Sequence, residues 1–535
     1  MRLSIFGLLL LAALVFATSI SREGPMQRPN EGIAEVLKAP AGKAFWPKPQ
    51  QLKITEDLLP IDVANFKITS NLKNCKILTR AIARYHRRYF DERCGSGTMQ
   101  PPQFPPPLDS NITAINTLNI VITDRKCPMY PPSQTSEFYT LEVGPVEVPE
   151  SNKIVLGAMT VWGALRGLET LSQAIIQDNS SQWSIYRLNI LDYPRYPFRG
   201  LLLDTSRHYL PVQTLLTNLD AMEMNKMNVF HWHIVDDTSF PYVSTKFPNL
   251  SNKGAFDTRT RIYSPADVQE VINYAADRGI RVIPEFDTPG HTMSWGPGQP
   301  GLLTECYKNG KPDGTHGPIN PILPSTYTFI ESFLSEITSV FKDDYFHVGG
   351  DEVSFKCWKS NPDLQEFMKK QGYGDDYAKL ESYYINKVLE LMKELKRNTI
   401  VWQEVFDNKV ELTKETIVHV WKAGKSMEEI ARATKKGHRV IYSSPWYLNY
   451  ISYGKDWTKY YEANPHNFTG TPAQKELVMG GEACMWGEFV DRSNVISRTW
   501  PRASAVAERL WSASDVTNLI SAERRLESHR CRMIK

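Results

Sequence analysis

From about residue 197 the chain alternates short, continuously apolar runs with stretches whose apolar positions recur at helical spacing. The runs are RGLLLDTS (199–206), NVFHWHIVD (228–236), IRVIPEFD (280–287), YFHVGGDE (345–352), NTIVWQEV (398–405), IVHVWKA (417–423), RVIYSSP (439–445) and VMGGEACMW (478–486). Strands buried on both faces read this way, because neither face meets water. Between them, TLLTNLDAMEMNKMN, PADVQEVINYAADRG and SMEEIARATKKG place apolar residues along one helical stripe. Eight strands separated by helices over residues 196–535 predict an α/β fold, a (β/α)8 TIM barrel with some long loops. The alternative is an open doubly wound sheet. It calls for a Gly-rich phosphate loop after the first strand, and DTSRHYLPV has no glycine.

Residues 40–195 have another texture. Two helical patterns, NCKILTRAIARYHRRYF and MTVWGALRGLETLSQAII, are mixed with strand-like LNIVITD and SIYRLNIL, and MQPPQFPPPLDSN reads as an exposed loop. No chemistry gathers there, so this part is expected to be scaffold. A chain of 535 residues exceeds one ordinary core and suggests two domains, one of them large.

The first residues bear on the compartment. In MRLSIFGLLLLAALVFATS a basic Arg2 precedes an apolar run and then small Ala17, Thr18 and Ser19, the pattern of a cleaved secretory signal over residues 1–19. The rival, a retained anchor, needs ~20 apolar residues, more than the run 5–17 supplies, and no later segment reads as a membrane span. Four N-x-S/T sites, at Asn111, Asn179, Asn249 and Asn467, agree with an exported glycoprotein. Several of the seven cysteines should pair in an oxidising compartment, leaving at least one free within the chain; none shows the C-x-x-C spacing of a zinc or redox site. With 62 basic against 59 acidic residues and no basic stripe, nucleic acid and anionic membrane are poor partners.

In such a barrel the active site lies at the C-terminal strand ends. In order, those ends offer Arg207, Asp236, His291, Asp351 with Glu352, Trp402 with Glu404, Trp421, Tyr447, and Trp486 with Glu488. Any one could be structural; eight on one rim exceed what packing needs. Three tryptophans could wall a flat apolar ring, each offering on the order of 150–250 Å². Arg207, Asp236 and Glu488 would then meet hydroxyls, and a flat face edged by hydroxyls describes a sugar. The adjacent carboxyls of Asp351 and Glu352 resist joint ionisation, so one should hold its proton, as a general acid must. Acid plus sugar suggests glycoside hydrolysis. A two-carboxylate retaining enzyme sets its groups ~5 Å apart across the scissile bond, which sequence neighbours are poorly placed to do. Glu404 and Glu488 remain formal nucleophiles. The alternative is a substrate carrying its own: a 2-acetamido oxygen closes on the anomeric carbon, Asp351 and Tyr447 hold the acetamido group, and Glu352 protonates the leaving oxygen.

The motifs GLLLDTSRHYLP, NVFHWHIVDD, IPEFDTPGHT, HVGGDEV, VWQEVFDN, PWYLN and GGEACMWGE closely resemble glycoside hydrolase family 20, in its branch of animal lysosomal β-N-acetylhexosaminidase subunits, from about residue 40 to the end. The resemblance implies a smaller α/β domain ahead of the catalytic barrel and release of terminal β-linked N-acetylglucosamine and N-acetylgalactosamine from glycoconjugates. It also implies no cofactor, a lysosomal or secreted setting, and a homo- or heterodimer whose partner contact is needed for activity. Position by position, it makes Glu352 the general acid/base, Asp351 the residue that orients and stabilises the acetamido group, and Tyr447 the donor to the acetamido oxygen. Trp402, Trp421 and Trp486 become pocket walls, Arg207 and Glu488 contacts to hydroxyls, and Asp236 and His291 polar residues linked to the acid. Asn449 joins the substrate contacts. Where one vertebrate subunit type continues Asn-Arg and uses the Arg to hold a negatively charged sugar, this chain has Asn449-Tyr450, which implies a site without that ion pair. The same matching pairs Cys75 with Cys127 and Cys306 with Cys357. It leaves Cys531 without its usual partner, because relatives continue past HRCRMIK to another cysteine, and gives Cys94 no counterpart.

Three other readings compete. HWH at 231–233 puts two imidazoles on one strand face, as a metal-dependent amidohydrolase site would, but no convincing further ligands accompany them. A structural role for His231 and His233, and no metal, is expected. A lectin-like binder on a dead hydrolase scaffold would keep the aromatic walls and lose the acid, whereas Asp351 and Glu352 are both present. Glu508 and Arg509, in AVAERLW, read as a buried ion pair.

Overall fold

Each of the eight apolar runs is a strand in the computed structural model, which describes residues 43–90, 113–144, 152–177 and 181–534. The signal at 1–19, Asn111, Asn179 and Cys94 lie outside the described residues.

Seven strands come first: β1 (Gln51–Pro60), β2 (Lys67–Ser70), β3 (Thr117–Ile122), β4 (Tyr139–Val143), β5 (Ile154–Ala158), β6 (Ile175–Gln177) and β7 (Trp183–Asp192). They form one mixed sheet in the order β1-β7-β4-β5-β3-β2, with β6 also paired to β7. Helix α1 (Lys76–Tyr89) buries Ile77, Leu78, Ala81, Tyr85 and Tyr89, while Arg80 and Arg87 are exposed and Arg84 and Arg88 reach the buried Glu223. Helix α2 (Val161–Ala174) is buried along its whole length. It is wedged between the sheet and the barrel, where Arg166 donates to Glu137 (2.8 Å) and to the carbonyls of Arg278 (3.1 Å) and Gly279 (2.8 Å).

The barrel follows. Strands β8 (Phe198–Asp204), β9 (Val229–Val235) and β10 (Arg281–Phe286) are succeeded by a hairpin outside the barrel, β11 (Leu303–Lys308) and β12 (Lys311–Ile319). Then come β13 (Tyr345–His347), β14 (Asn398–Trp402), β15 (Ile417–Val420), β16 (Arg439–Tyr442) and β17 (Val478–Met485), which closes on β8 with every barrel pair parallel. The predicted α/β barrel is therefore the fold. Strand β13 is shorter than its apolar run because Gly349 and Gly350 take φ of +72° and +97° and turn the chain out of the sheet. Phe198, Val229, Ile283, Tyr345, Ile400, Ile417 and Ile441, near the N-terminal strand ends, cluster to plug that mouth. Chemistry is left to the other.

Buried charges join sheet to barrel. Arg199 meets Glu137 at 2.7 Å and Lys226 meets Asp192 at 2.8 Å, all four buried. Two expectations are corrected here. Glu508 pairs with Arg525, from the helix Leu519–Met533, and not with Arg509, which donates to the carbonyls of Ala463 and Val516. Consecutive residues on a helix point apart and cannot face each other. Cys531 is disulfide-bonded and not left unpaired. The structure also joins Cys75 to Cys127 and Cys306 to Cys357, and leaves Cys484 buried as a free thiol. Asn249 and Asn467 are exposed. Among the described residues no helix is long and apolar enough to cross a membrane.

Candidate active site

At the C-terminal mouth, Trp402, Tyr447 and Trp486 cluster with Leu202 and Cys484, and Trp421 packs against them. Trp402 and Trp486 have ring centroids 6.0 Å apart, Trp421 stands edge-on to Trp402 at 6.5 Å, and Tyr447 stacks on Trp421 at 6.0 Å. Each ring leaves the end of a different strand or the turn after it, so closing the barrel closes the aromatic wall. Trp421 is fixed by its indole N–H, which donates to Glu404 Oε2 at 2.8 Å; Lys422 takes the other Glu404 oxygen at 3.1 Å. Both oxygens of Glu404 are thus engaged.

A polar chain packs against this wall. Asp204, the last residue of β8, accepts from the backbone N–H groups of Ser206 (2.9 Å), Arg207 (3.1 Å) and Gly487 (2.9 Å), and from Arg207 Nη1 (3.0 Å). Arg207 lies over the Trp486 ring at 5.1 Å and reaches Asp236 Oδ2 at 2.9 Å. Burial works against its charge, but Asp204, Asp236 and Glu488 outweigh burial and keep the guanidinium cationic. Asp236 also accepts from His233 Nε2 (2.8 Å) and His291 Nδ1 (3.1 Å). Burial opposes its ionisation too, yet the two imidazoles hold the carboxyl well below its usual range.

His291 Nε2 lies 3.8 Å from both Asp351 Oδ2 and Glu352 Oε2. Burial lowers its proton affinity, but Asp236 and Asp351 more than compensate and raise the imidazole to about 9. His291 and Glu352 both occupy left-handed backbone, at φ +56° and +50°, a strained geometry for residues with a Cβ. That turn separates the two neighbouring carboxylates. Asp351 is 9% exposed, whereas the Glu352 side chain is 59% exposed. Asp351 also has a carboxylate neighbour from another strand, Asp287, just past β10, with oxygens within 4.8 Å. Burial raises Asp351, while His291 pulls it back down; burial and the Asp351 charge push Asp287 far higher. Asp351 Oδ1 and Asn449 Oδ1 are buried acceptors with no protein partner, open to a ligand N–H or O–H.

Beneath the aromatics, Glu285 accepts from Trp402 Nε1 (2.7 Å) and His233 Nδ1 (2.6 Å), and lies 3.0 Å from His231 Nε2; His231 Nδ1 meets Glu482 at 2.8 Å. His231 and His233 therefore brace the floor through carboxylates. Among the described residues, groups such as His231, Glu285 and His347 come close enough to share an ion, and direct His–carboxylate contacts already join them. Of the rim residues read from the strand ends, Arg207, Asp236, His291, Asp351, Glu352, Trp402, Trp421, Tyr447 and Trp486 come together, and Asn449 adjoins them. Glu488 is exposed at the edge and acts on Arg207 by charge. Asp204, Glu285, Asp287 and Glu482 escaped the strand-end reading. Their signal is a carboxylate set inside or at the end of an apolar strand, as in IPEFD and GGEACMW.

Residues 196–514 match the family described as glycosyl hydrolase family 20, catalytic domain, and residues 45–174 match a beta-acetyl hexosaminidase like domain. The chain is 49% identical to beta-hexosaminidase subunit beta of Felis catus over 509 residues, covering 94% of this chain and 93% of the relative. It is 48% identical to beta-hexosaminidase subunit alpha of Bos taurus over 501 residues, covering 92% of each. Among solved structures it is similar to a chitobiase of Flavobacterium johnsoniae, with a TM-score of 0.78, 30% identity, and coverage of 94% of this chain and 73% of that one. It shares its fold with an exo beta-N-acetylglucosaminidase of Vibrio harveyi solved with N-acetylglucosamine, at a TM-score of 0.74, 21% identity, and coverage of 92% and 77%.

Proposed function

The chain belongs to glycosyl hydrolase family 20, and from that membership and the geometry of its pocket we propose a retaining exo-β-N-acetylhexosaminidase. It removes terminal non-reducing N-acetylglucosamine and N-acetylgalactosamine from glycoconjugates, with the substrate's 2-acetamido group as nucleophile. The observation that carries this reading is the divergence of two sequence neighbours: Asp351 is buried with one acceptor open, and Glu352 is turned outward beside His291.

The steps follow from that divergence. Glu352 protonates the glycosidic oxygen as the C1–O bond breaks, and the acetamido oxygen attacks C1 to give an oxazolinium ring. Positive charge develops on the acetamido nitrogen, whose N–H donates to Asp351. The Tyr447 hydroxyl donates to the acetamido oxygen and aims it. Water then adds to C1, its proton passes to the Glu352 carboxylate, and the ring reopens with net retention. Glu404, with both oxygens engaged, is poorly suited to nucleophilic attack. Trp402, Trp421 and Trp486 hold the sugar faces, Arg207, Asn449 and Glu488 meet its hydroxyls, and Asp236 steadies His291 against the acid.

The relatives are named as alpha and beta subunits, which supports assembly as a homo- or heterodimer. The secretory signal and N-glycosylation sites support a lysosomal setting, with secretion as the alternative destination. Turnover of a chromogenic β-N-acetylglucosaminide against the plain β-glucoside tests the mechanism. Only the acetamido sugar should be cleaved; equal turnover of both contradicts self-attack by the substrate.

A further inference from the structure

We propose that Glu404 is a positioning residue of the reaction: its carboxylate, with Gln403 beside it, fixes Trp421 against the sugar and ties that wall to the turn carrying Asp351 and Glu352. The inference rests on Trp421 walling the sugar pocket.

Strand β15 ends at Val420, so Trp421 lies past its last paired position. Side chains from the end of β14 take over from the ladder there. Gln403 Oε1 accepts from two successive backbone N–H groups, those of Trp421 (3.1 Å) and Lys422 (2.9 Å). Glu404 Oε2 accepts from the indole N–H at 2.8 Å, and its Oε1 meets Lys422 Nζ at 3.1 Å. The first residue fixes where the backbone of Trp421 lies, and the second fixes how its ring is turned. A bond from an indole N–H to a carboxylate is both directional and charge-assisted. Gln403 is buried and the Glu404 side chain is 12% exposed, so water competes little for either acceptor.

The same two residues open a short helix, Gln403–Asp407, that sits on the acid turn. Trp402 N–H donates to the Gly349 carbonyl at 3.0 Å, and a Cβ on Gly350 would fall 2.4 Å from Val405 Cγ2. The distance from the tryptophan wall to Asp351 is therefore set through this helix. Its other end is held as well: Gln403 Nε2 donates to Asp407 Oδ2 at 3.3 Å, and Lys422 lies 3.8 Å from the same carboxylate. Tyr447, stacked on Trp421, has a separate anchor in the Leu448 N–H, which donates to the Cys484 carbonyl at 2.8 Å. Loosening Trp421 should thus weaken the hold on the sugar more than the aim of the acetamido oxygen.

The test uses the full-length protein, steady-state kinetics on an aryl β-N-acetylglucosaminide, and calorimetric binding of N-acetylglucosamine. In Glu404→Ala, KM and the dissociation constant of N-acetylglucosamine should both rise about tenfold with kcat within about threefold, the scale of one charge-assisted hydrogen bond. Glu404→Gln keeps an oxygen for the indole N–H and should recover most of the loss. Trp421→Phe keeps a flat face, loses the same bond, and should show the same rise in KM; adding Glu404→Ala to it should change KM by less than about twofold. Equal effects of Glu404→Ala in the two backgrounds, or a fall in kcat at unchanged KM, overturn the positioning role. So does an unchanged KM in Trp421→Phe, whether or not Glu404→Ala folds. Trp421→Ala separates this from the reading of the pocket: if KM is unchanged there, Trp421 does not face the sugar and it is the pocket reading that fails.

Discussion

Asp287 lies against Asp351, with their carboxyl oxygens within 4.8 Å of each other and of a His291 ring nitrogen. Two buried carboxyls so placed cannot both ionise, and the proton resides on the one whose charge is less tolerated. Asp287 is the deeper, at 1% exposed, and is pushed well above the usual carboxylate range by burial and by the Asp351 charge. The proton on Asp287 leaves Asp351 as the anion that an acetamido N–H requires. Gly349 makes the contact possible: a Cβ there would fall 1.6 Å from Asp287 Oδ1.

Asp287→Asn should therefore be the mild variant and Asp287→Ala the severe one. The amide is neutral, like the protonated acid, and can still accept from Gly350 N–H, which donates to Asp287 Oδ1 at 2.9 Å. We expect kcat to fall less than about tenfold in the first and on the order of 10²-fold in the second, the scale of one unsatisfied buried polar contact. Steady-state kinetics on an aryl N-acetylglucosaminide decide it. Equal losses in both variants would place the role of Asp287 in its charge.

Glu352→Gln removes the transferable proton and keeps the shape. Turnover of substrates with sugar leaving groups should drop by about 10²–10⁴-fold, with KM little changed, and an activated aryl leaving group should suffer much less because it departs without protonation. A uniform loss across leaving groups would remove Glu352 from the acid role.

The barrel was legible because a strand buried on both faces is built mainly of apolar residues, so each of the eight declared itself as an apolar run. In the preceding sheet, β3 and β7 and the helices α1 and α2 were readable for the same periodic reasons. Strand β1 was not: it is an edge strand, QLKITEDLLP, largely accessible along its length, and its pairing with β7 is set by a partner over a hundred residues away. The rim residues could be read off because each lies at or shortly past the C-terminal end of a strand. Asp287, Glu285 and Asp204 also lie in or at strand ends, but position alone does not tell their roles. Their work is to face side chains from other strands, and which carboxyl meets which imidazole is settled only by closure. The same holds for Glu508, whose partner Arg525 lies on a separate helix.

At the mouth of the pocket Tyr450 is 60% exposed and stacks on Tyr447 at 5.7 Å, and the Arg498 guanidinium beside it donates to the carbonyls of Asn449 and Tyr450. Backbone carbonyls thus engage that guanidinium, and Tyr450 itself offers no cation to a charged sugar. The protein should cleave a neutral aryl N-acetylglucosaminide in strong preference to its 6-sulfated form, and Tyr450→Arg should narrow the preference by about tenfold through one charge-assisted contact. Competition kinetics on the two substrates measure it; a wild-type enzyme that takes both equally would show that another group binds the anion.

The histidines under the pocket tie stability to pH. Burial disfavours the charged form of both His231 and His233, yet Glu482 and Glu285 outweigh it for His231, and Glu285 with Asp236 for His233. The imidazoles are raised to about 9 and about 10. In the unfolded chain each would titrate near 6.5, so above that pH the folded state binds more protons than the unfolded one. Their contribution is present in full below about pH 6.5 and is lost as pH rises through 9 to 10. Burial also raises Glu482, which acts in the same direction, whereas the strongly lowered Glu285 loses its contribution only on acidification below its usual range. Thermal unfolding followed from pH 6.5 to 9.5 should show Tm falling by at least ~3 °C. His233→Gln should start from a lower Tm at pH 6 and show a shallower decline. A Tm that is flat or rising over that range would mean the imidazoles are neutral in the folded protein, with the carboxyls beneath the tryptophans holding the protons instead.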